Sequence, residues 1–276
     1  MPVHQEKTLR NAQSVKRNGG WDMDLNKMFD LSGKTAVVTG GGQGIGQVVA
    51  LYLARAGASV AILNRSNADD TVSQIEKEGG RAYFIACDVT NEAEVDNAFE
   101  KILELFGSVD VVINNAGICM HKSALDVTLE EFRHVIDVNL TGVFIVARAA
   151  GRIMIERGIH GSIINISSAS GVIIPTPQHQ CSYNASKAGV THLTKSLAIE
   201  WVDYNIRVNS VSPGYVATPI ATEVPQELKD AWMPLIPMHR MAKPEELIPP
   251  ILYLASNASG YTTGSDVVVD GAYSCL

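Results

Sequence analysis

The sequence has little cysteine, no long apolar run and no excess of positive charge, and each shortage removes a class of function. Its four cysteines (Cys87, Cys119, Cys181, Cys275) are widely separated in 276 residues, with no C-x-x-C pair. Neither a disulfide framework nor a zinc site of the usual spacing fits that pattern; reduced thiols in a reducing compartment do. The seven histidines are dispersed without an H-E-x-x-H or related pattern, so no metal role is expected. Apolar stretches are strand-length or interrupted by polar residues, short of the roughly 18 residues that span a bilayer. The opening MPVHQEKTLRNAQSVKRNGG lacks an apolar h-region, which excludes a secretory signal, and Glu6 with no apolar face makes it a poor organelle-targeting helix. Residues 1–30 read instead as an N-terminal arm, flexible or wrapped on another subunit, of a cytoplasmic protein. Acidic residues outnumber basic ones, 29 to 22, for a formal net charge of −7. That balance argues against general attraction to nucleic acid or anionic membrane.

What is present is the composition of a folded protein, with 46% hydrophobic and 18% charged residues. From Lys34 onward, short β-branched runs alternate with longer segments of helical period. TAVVTG is followed by GIGQVVALYLARAG, SVAILN, a polar helix ending at Gly79-Gly80, AYFIACD, a helix over 91–106 and VDVVINN. Two helical stretches over 128–157, SIINIS, a helix over 181–202, IRVNSVSP and SDVVVDG complete the series. Strands apolar on both faces and separated by helices imply a parallel sheet with right-handed crossovers. The expectation is an α/β fold: a single doubly wound domain over 31–276, with a mostly parallel seven-stranded sheet and helices on both faces. Eight of the eleven prolines fall at or after Pro213, so residues 213–243 read as a loop-and-helix insertion over the site.

The first strand runs into TGGGQGIG, residues 39–46, and a helix begins at once. Glycines there let the chain turn sharply, let a pyrophosphate approach the backbone and let the helix pack on the strand. The unpaired N–H groups and positive end of that helix suit phosphate. Gly40, Gly44 and Gly46, with Gln43 and Ile45 among them, are the candidate phosphate loop. At the end of the second strand, where an acid would bind a ribose 2′-hydroxyl, the chain reads ILNRS. Asn64 in that place removes a charge that would repel a 2′-phosphate, and Arg65 offers a fork-shaped donor for one. NADP(H) is therefore expected over NAD(H), with NAD(H) still open.

Farther along, PTPQHQCSYNASK (175–187) sets Tyr183 and Lys187 four apart. Chance alone supplies roughly 0.3 such spacings in a chain with 8 tyrosines, so the pair needs support from the rest of the sequence. A free tyrosine titrates near pH 10 and needs a shift of roughly 3 units to serve as acid and base near neutrality. An ammonium one turn on along the same helix face would favour the phenolate.

Other marks stand in a fixed order around this pair. Thr-Gly-x-x-x-Gly-x-Gly follows the first strand, Asp88 lies in CDVT, and Asn114-Asn115-Ala116-Gly117 ends the fourth strand. Asn139 lies in the next helix, Ser168 ends the fifth strand, and PGYVAT (213–218) follows the sixth. Together, over residues 34–271, these marks resemble the short-chain dehydrogenase/reductase family, which has a Rossmann-type fold and moves a hydride between a nicotinamide cofactor and a carbonyl or alcohol. The resemblance implies that Asp88, with Val89, borders the adenine and that Asn115, Ala116 and Gly117 follow the cofactor. It implies that Pro213, Gly214, the Val216 backbone and the Thr218 hydroxyl hold the nicotinamide end. Ser168 would be the donor to the developing oxyanion, Tyr183 the acid and base, and Lys187 the partner of Tyr183 and of the nicotinamide ribose. Asn139 would bind through water to Lys187. Ser167 and Ser170 are close enough in sequence to compete with Ser168. Ser170 and Tyr215 are implied substrate contacts, and a homotetramer or homodimer is the implied assembly.

PTPQHQCSYNASK with AIEW (198–201) resembles the polyol and ketose branch more than the steroid or acyl branches. Gln178, His179 and Gln180 would set polar side chains at the entrance, and a hydrogen-bonding site rejects apolar analogues. The expected reaction is ketose–polyol interconversion, with a sugar acid and its keto form or a 3-oxoacyl substrate as alternatives. Longer epimerase/dehydratase relatives need a larger C-terminal domain than the residues after Pro213 allow. Cofactor-sensing regulators on this fold typically lose the tyrosine or the lysine, and both are kept here.

Overall fold

The computed structural model describes residues 24–222 and 224–275, so most of the N-terminal arm expected over 1–30 lies outside the described residues. After one helical turn at Leu25–Met28 the strands follow: β1 Thr35–Thr39, β2 Ser59–Asn64, β3 Arg81–Ala86, β4 Val111–Asn114, β5 Ser162–Ile166, β6 Arg207–Pro213 and β7 Asp266–Val269. They form one sheet in the order β3-β2-β1-β4-β5-β6-β7. Every pair is parallel, where the sequence reading allowed for a mostly parallel sheet. Each return passes through a helix rather than a hairpin, and a crossover of that kind delivers the next strand in the same direction.

The helices are α1 Gly44–Arg55, α2 Asp69–Lys77, α3 Glu92–Phe106, α4 Leu129–Ile136, α5 Gly142–Arg157, α6 Cys181–Trp201, α7 Gln226–Trp232 and α8 Ile248–Ala255. Alternate strand residues feed two cores. Val38, Ile62, Ile113 and Ile164 pack against α1, α2 and α8 on one face. Val37, Leu63, Val112 and Ile163 pack against α3, α5 and α6 on the other. Because both faces are covered, β1, β4 and β5 are buried along their whole length.

The helical run Leu129–Arg157 is, by length and composition alone, apolar enough to cross a membrane, which the sequence reading did not anticipate. In this fold its apolar surface has another use: Val146, Ala147, Ala150 and Met154 are buried against the sheet. A π-helical turn at Asp137–Thr141 joins α4 to α5. Beyond β6 the described chain includes a turn at Pro219–Thr222, α7 and a short turn at Met233–Leu235. The base of this segment is pinned by Ala217 N–H to the Ala242 carbonyl (2.8 Å) and Ala242 N–H to the Tyr215 carbonyl (2.9 Å).

Candidate active site

A cavity of about 740 Å³ opens at the carboxyl ends of the strands. β1 is flanked by β2 and β4 there, so the chain order reverses at this point, the switch at which doubly wound sheets bind ligands. Thr39, at the end of β1, ties the two halves together. Its hydroxyl accepts the N–H groups of Asn115 and Ala116, both at 3.0 Å. The Asn115 amide donates in turn to the carbonyls of Thr39 (3.0 Å) and Gly40 (3.1 Å).

Gly40, Gln43, Gly44 and Ile45 line the cavity, and Gly40 adopts φ +67°, a left-handed conformation that glycine takes without strain. Gly46 does not line it. A methyl group at Gly46 would collide with the Gly40 carbonyl and the Asn115 amide, so this glycine is needed for the close seating of α1 on the loop. Gln43 leaves the start of α1 without a side-chain cap, so its first N–H groups are available to an anion. The residues present therefore fit a pyrophosphate.

Asn64 and Arg65 line the cavity at the end of β2, with Ser66 and Asn67 beside them. The Asn64 amide donates to the Ser66 carbonyl (2.9 Å) and hydroxyl (3.0 Å), shaping the turn that carries exposed Arg65 and Ser66. Asp88 and Val89 line the same side. The Asp88 carboxylate accepts the Thr90 N–H (2.9 Å) and hydroxyl (2.7 Å), which hold it below the usual carboxylate range, helped by the charges of Arg65 and His134.

Tyr183 and Lys187 meet Ser168 at the other end of the cavity. The Lys187 ammonium donates to the Ile166 carbonyl at 2.8 Å and lies 5.7 Å from the centre of the Tyr183 ring. The tyrosine is not lowered by this charge, contrary to the expectation from spacing. Burial pushes Tyr183 up to about 12, outweighing the opposing hydrogen bond from Ser168. The same burial pushes Lys187 down to about 8. The lysine is aimed at a backbone carbonyl, and both groups lose more hydration than they gain from each other.

The three serines differ in what their hydroxyls bind. Ser167 also lines the cavity, but its hydroxyl is bound to the Lys187 carbonyl (2.9 Å) and the Thr191 hydroxyl (2.8 Å). The Ser170 hydroxyl accepts from the Gln180 amide at 3.1 Å, and Ser170 does not line the cavity. Ser168 accepts the Ser170 N–H at 3.1 Å, which leaves its own proton to be shared between the Tyr183 oxygen and an oxygen in the cavity.

Asn139 is fully buried behind this site and does not line the cavity. Its side chain accepts the Ile118 N–H (2.8 Å) and donates to the Ile118 carbonyl (2.9 Å) and the Ser186 hydroxyl (3.1 Å). It thereby holds the segment following Asn115-Ala116-Gly117 against the first turns of α6. Pro213, Gly214, Tyr215, Val216 and Thr218 close the cavity from the β6 side, as do Asn115, Ala116 and Gly117 from β4. Gln178, read as a substrate contact, does not line it; its amide is engaged by Tyr215 and Trp232. His121 and His179 do not line it either. Ile118 and Cys119, which do, continue directly from the Asn-Asn-Ala-Gly run, a signal of adjacency that the motif boundaries cut off. Among the described residues no group of His, Cys, Asp and Glu could hold a metal ion.

Comparison with known proteins shows what the whole chain resembles. A family model described as enoyl-(acyl carrier protein) reductase matches residues 40–274. A sorbose reductase of Candida albicans is 43% identical over 252 residues, covering 90% of this chain and 89% of its own. A protein of Yarrowia lipolytica described as a probable NADP-dependent mannitol dehydrogenase is 43% identical over 256 residues, covering 91% of each. The crystal structure of a short-chain type dehydrogenase/reductase from Mycobacterium marinum superposes with a TM-score of 0.89 at 46% identity, covering 91% of this chain and 99% of that one. With a matching family model over most of its length and relatives at this identity, the chain belongs to the short-chain dehydrogenase/reductase family of oxidoreductases.

Proposed function

We propose that the chain is an NADP(H)-dependent oxidoreductase that interconverts a ketose and its polyol. The observation that carries this reading is the convergence of Tyr183, Lys187 and Ser168 on the cavity that also holds the glycine loop and Arg65. Bound NADP(H) supplies the hydride in reduction and receives it in oxidation. Gly40, Gly44 and the start of α1 would take the pyrophosphate, with Gly46 supporting the loop from behind. Arg65, with Asn64 and Ser66 shaping its turn, would take the 2′-phosphate. Asp88 and Val89 would border the adenine, and Val216 and Thr218 the nicotinamide end.

Ser168 donates to the substrate oxygen as charge develops, and Tyr183 gives that oxygen its proton. Lys187 uses one N–H on Ile166 and keeps two for a ribose hydroxyl and the phenol. Asn139 acts from behind the site by holding Ile118 and Ser186 in place. A polyhydroxylated substrate is supported by the relatives that act on sorbose and mannitol. A sugar acid is less well served: among the described residues, Lys187 is the one lysine or arginine lining the catalytic end, and it is already engaged.

Steady-state rates with D-fructose, L-sorbose, 5-keto-D-gluconate and a 3-oxoacyl thioester, each with NADPH and with NADH, test the proposal. A ketose with NADPH should give the highest kcat/KM. Turnover confined to the thioester, or a strong preference for NADH, would overturn it. We also infer a homotetramer, because Phe144, Ile199, Val202 and Tyr204 on and after α5 and α6 expose apolar surface suited to pairing with a second copy, and a cytoplasmic location, because all four cysteines are free thiols, as a reducing compartment keeps them. Sedimentation showing only monomer, or imaging of a tagged chain outside the cytoplasm, would count against it.

A further inference from the structure

Tyr215 lines the catalytic end of the cavity, with its hydroxyl held by Gln178 and its ring by Trp232. Gln178, from the loop before α6, donates its amide N–H to the Tyr215 oxygen at 2.8 Å. Trp232, the last residue of α7 and almost fully buried, donates its indole N–H to the Gln178 carbonyl oxygen at 2.8 Å. The Trp232 ring also stacks on Tyr215, with centroids 4.4 Å apart and planes 20° from parallel.

The direction of these bonds follows from chemistry. An indole N–H can only donate, so the oxygen of the Gln178 amide has to face Trp232 and its nitrogen has to face Tyr215. The amide nitrogen can only donate in turn, so the Tyr215 oxygen has to accept. The phenol proton is then left over for another acceptor. Tyr273, whose ring lies 5.7 Å from that of Tyr215, offers its hydroxyl as one such acceptor; an oxygen of a substrate in the cavity competes for the same proton.

We propose that Trp232 and Gln178, neither of which lines the cavity, are positioning residues that fix Tyr215 as a hydroxyl donor to a substrate oxygen, so that substrate preference is set partly from α7. This deepens the ketose reading and rests on it, because a second oxygen on the substrate is what such a donor recognises. It also gives Gln178 a different part from direct substrate contact.

Four variants of the full chain test the relay: Tyr215→Phe, Gln178→Glu, the double variant and Trp232→Phe. In Gln178→Glu the arm facing Trp232 still accepts, but the arm facing Tyr215 now also accepts and draws the phenol proton away from the cavity. Kinetics with NADPH and D-fructose or L-sorbose, whichever wild type uses better, should show KM raised about 5-fold in Tyr215→Phe, as expected for one neutral hydrogen bond. Gln178→Glu should match it, with the loss falling on KM rather than kcat, and the double variant should be no worse than the poorer single one. Trp232→Phe keeps the stacking and frees the amide to turn over, so a smaller rise in KM is expected. A Gln178→Glu variant with wild-type KM, or single losses that multiply in the double variant, would overturn the relay. Thermal unfolding and NADPH binding are measured on each variant; where Gln178→Glu is impaired in either, Trp232→Phe decides, and an unchanged KM there overturns it. If neither ketose reacts, the ketose reading fails by itself. The same four variants on the best carbonyl substrate then support the relay by non-additive losses or overturn it by independent ones.

Discussion

At pH 7 the Tyr183 phenol, pushed up to about 12 by burial, carries its proton, while Lys187, pushed down to about 8 by the same cause, is still largely charged. The enzyme therefore meets a carbonyl with its acid loaded, and the oxidative direction, which needs the phenolate, should gain from rising pH. The lysine also makes stability depend on pH. Its folded value lies below the unfolded value near 10.5, so between about pH 8 and 10.5 the unfolded chain binds more protons and stability rises with pH. From pH 7.5 to 9.5 this contribution grows by about 2 kcal/mol. Urea unfolding of wild type and Lys187→Met at those two values checks it: the stability gap should move in favour of wild type at pH 9.5. A gap independent of pH would mean that Lys187 is not titrating there. Nothing in the spacing of Tyr183 and Lys187 reveals these directions, because burial belongs to the folded site and four-residue spacing to the helix.

At the scale of elements, the glycine loop and α1 act as one unit. Gly46→Ala would force a methyl group against the Gly40 carbonyl and the Asn115 amide, so a loss of about 2 kcal/mol is expected from overpacking. NADPH affinity should fall roughly tenfold, since displacing α1 moves the N–H groups meant for phosphate. Thermal unfolding and NADPH titration measure both, and unchanged values would show that the loop tolerates a side chain. The central strands β1, β4 and β5 are legible because both sheet faces are covered there and their sequences are largely apolar; β3 and β6 carry more polar residues and are legible mainly from the helical segments that flank them. The glycine loop, Asn115-Ala116-Gly117, Tyr183 and Lys187 were legible because each sits at the end of a strand or the start of a helix. Asn139, expected to reach Lys187 through water, is bonded instead to Ile118 and Ser186, and its π-helical turn leaves no mark on the apolar pattern because it is one extra residue in a helix. Gln178 is not legible as a residue behind the cavity lining for a related reason: a polar residue between sheet and helix reads as exposed until the excursion carrying Trp232 covers it.

Across the whole molecule, the parallel sheet gathers residues from β1, β2, β4, β5 and β6 at one edge, with the nucleotide half and the catalytic half on either side of the switch between β1 and β4. The apolar helix of Leu129–Arg157 lies inside this assembly, and Lys187 is buried where α6 meets the sheet. Chemistry and binding are thus carried by different ends of one cavity, which allows them to be separated experimentally. Tyr183→Phe does so most directly, removing a single oxygen at the catalytic end and leaving the nucleotide end untouched. NADPH should bind within about twofold of wild type, while reductive turnover of the best ketose falls by roughly 100- to 10,000-fold, the range for loss of a positioned acid. Turnover that survives with NADPH binding intact would contradict the assignment of Tyr183 as the proton donor, and with it the mechanism.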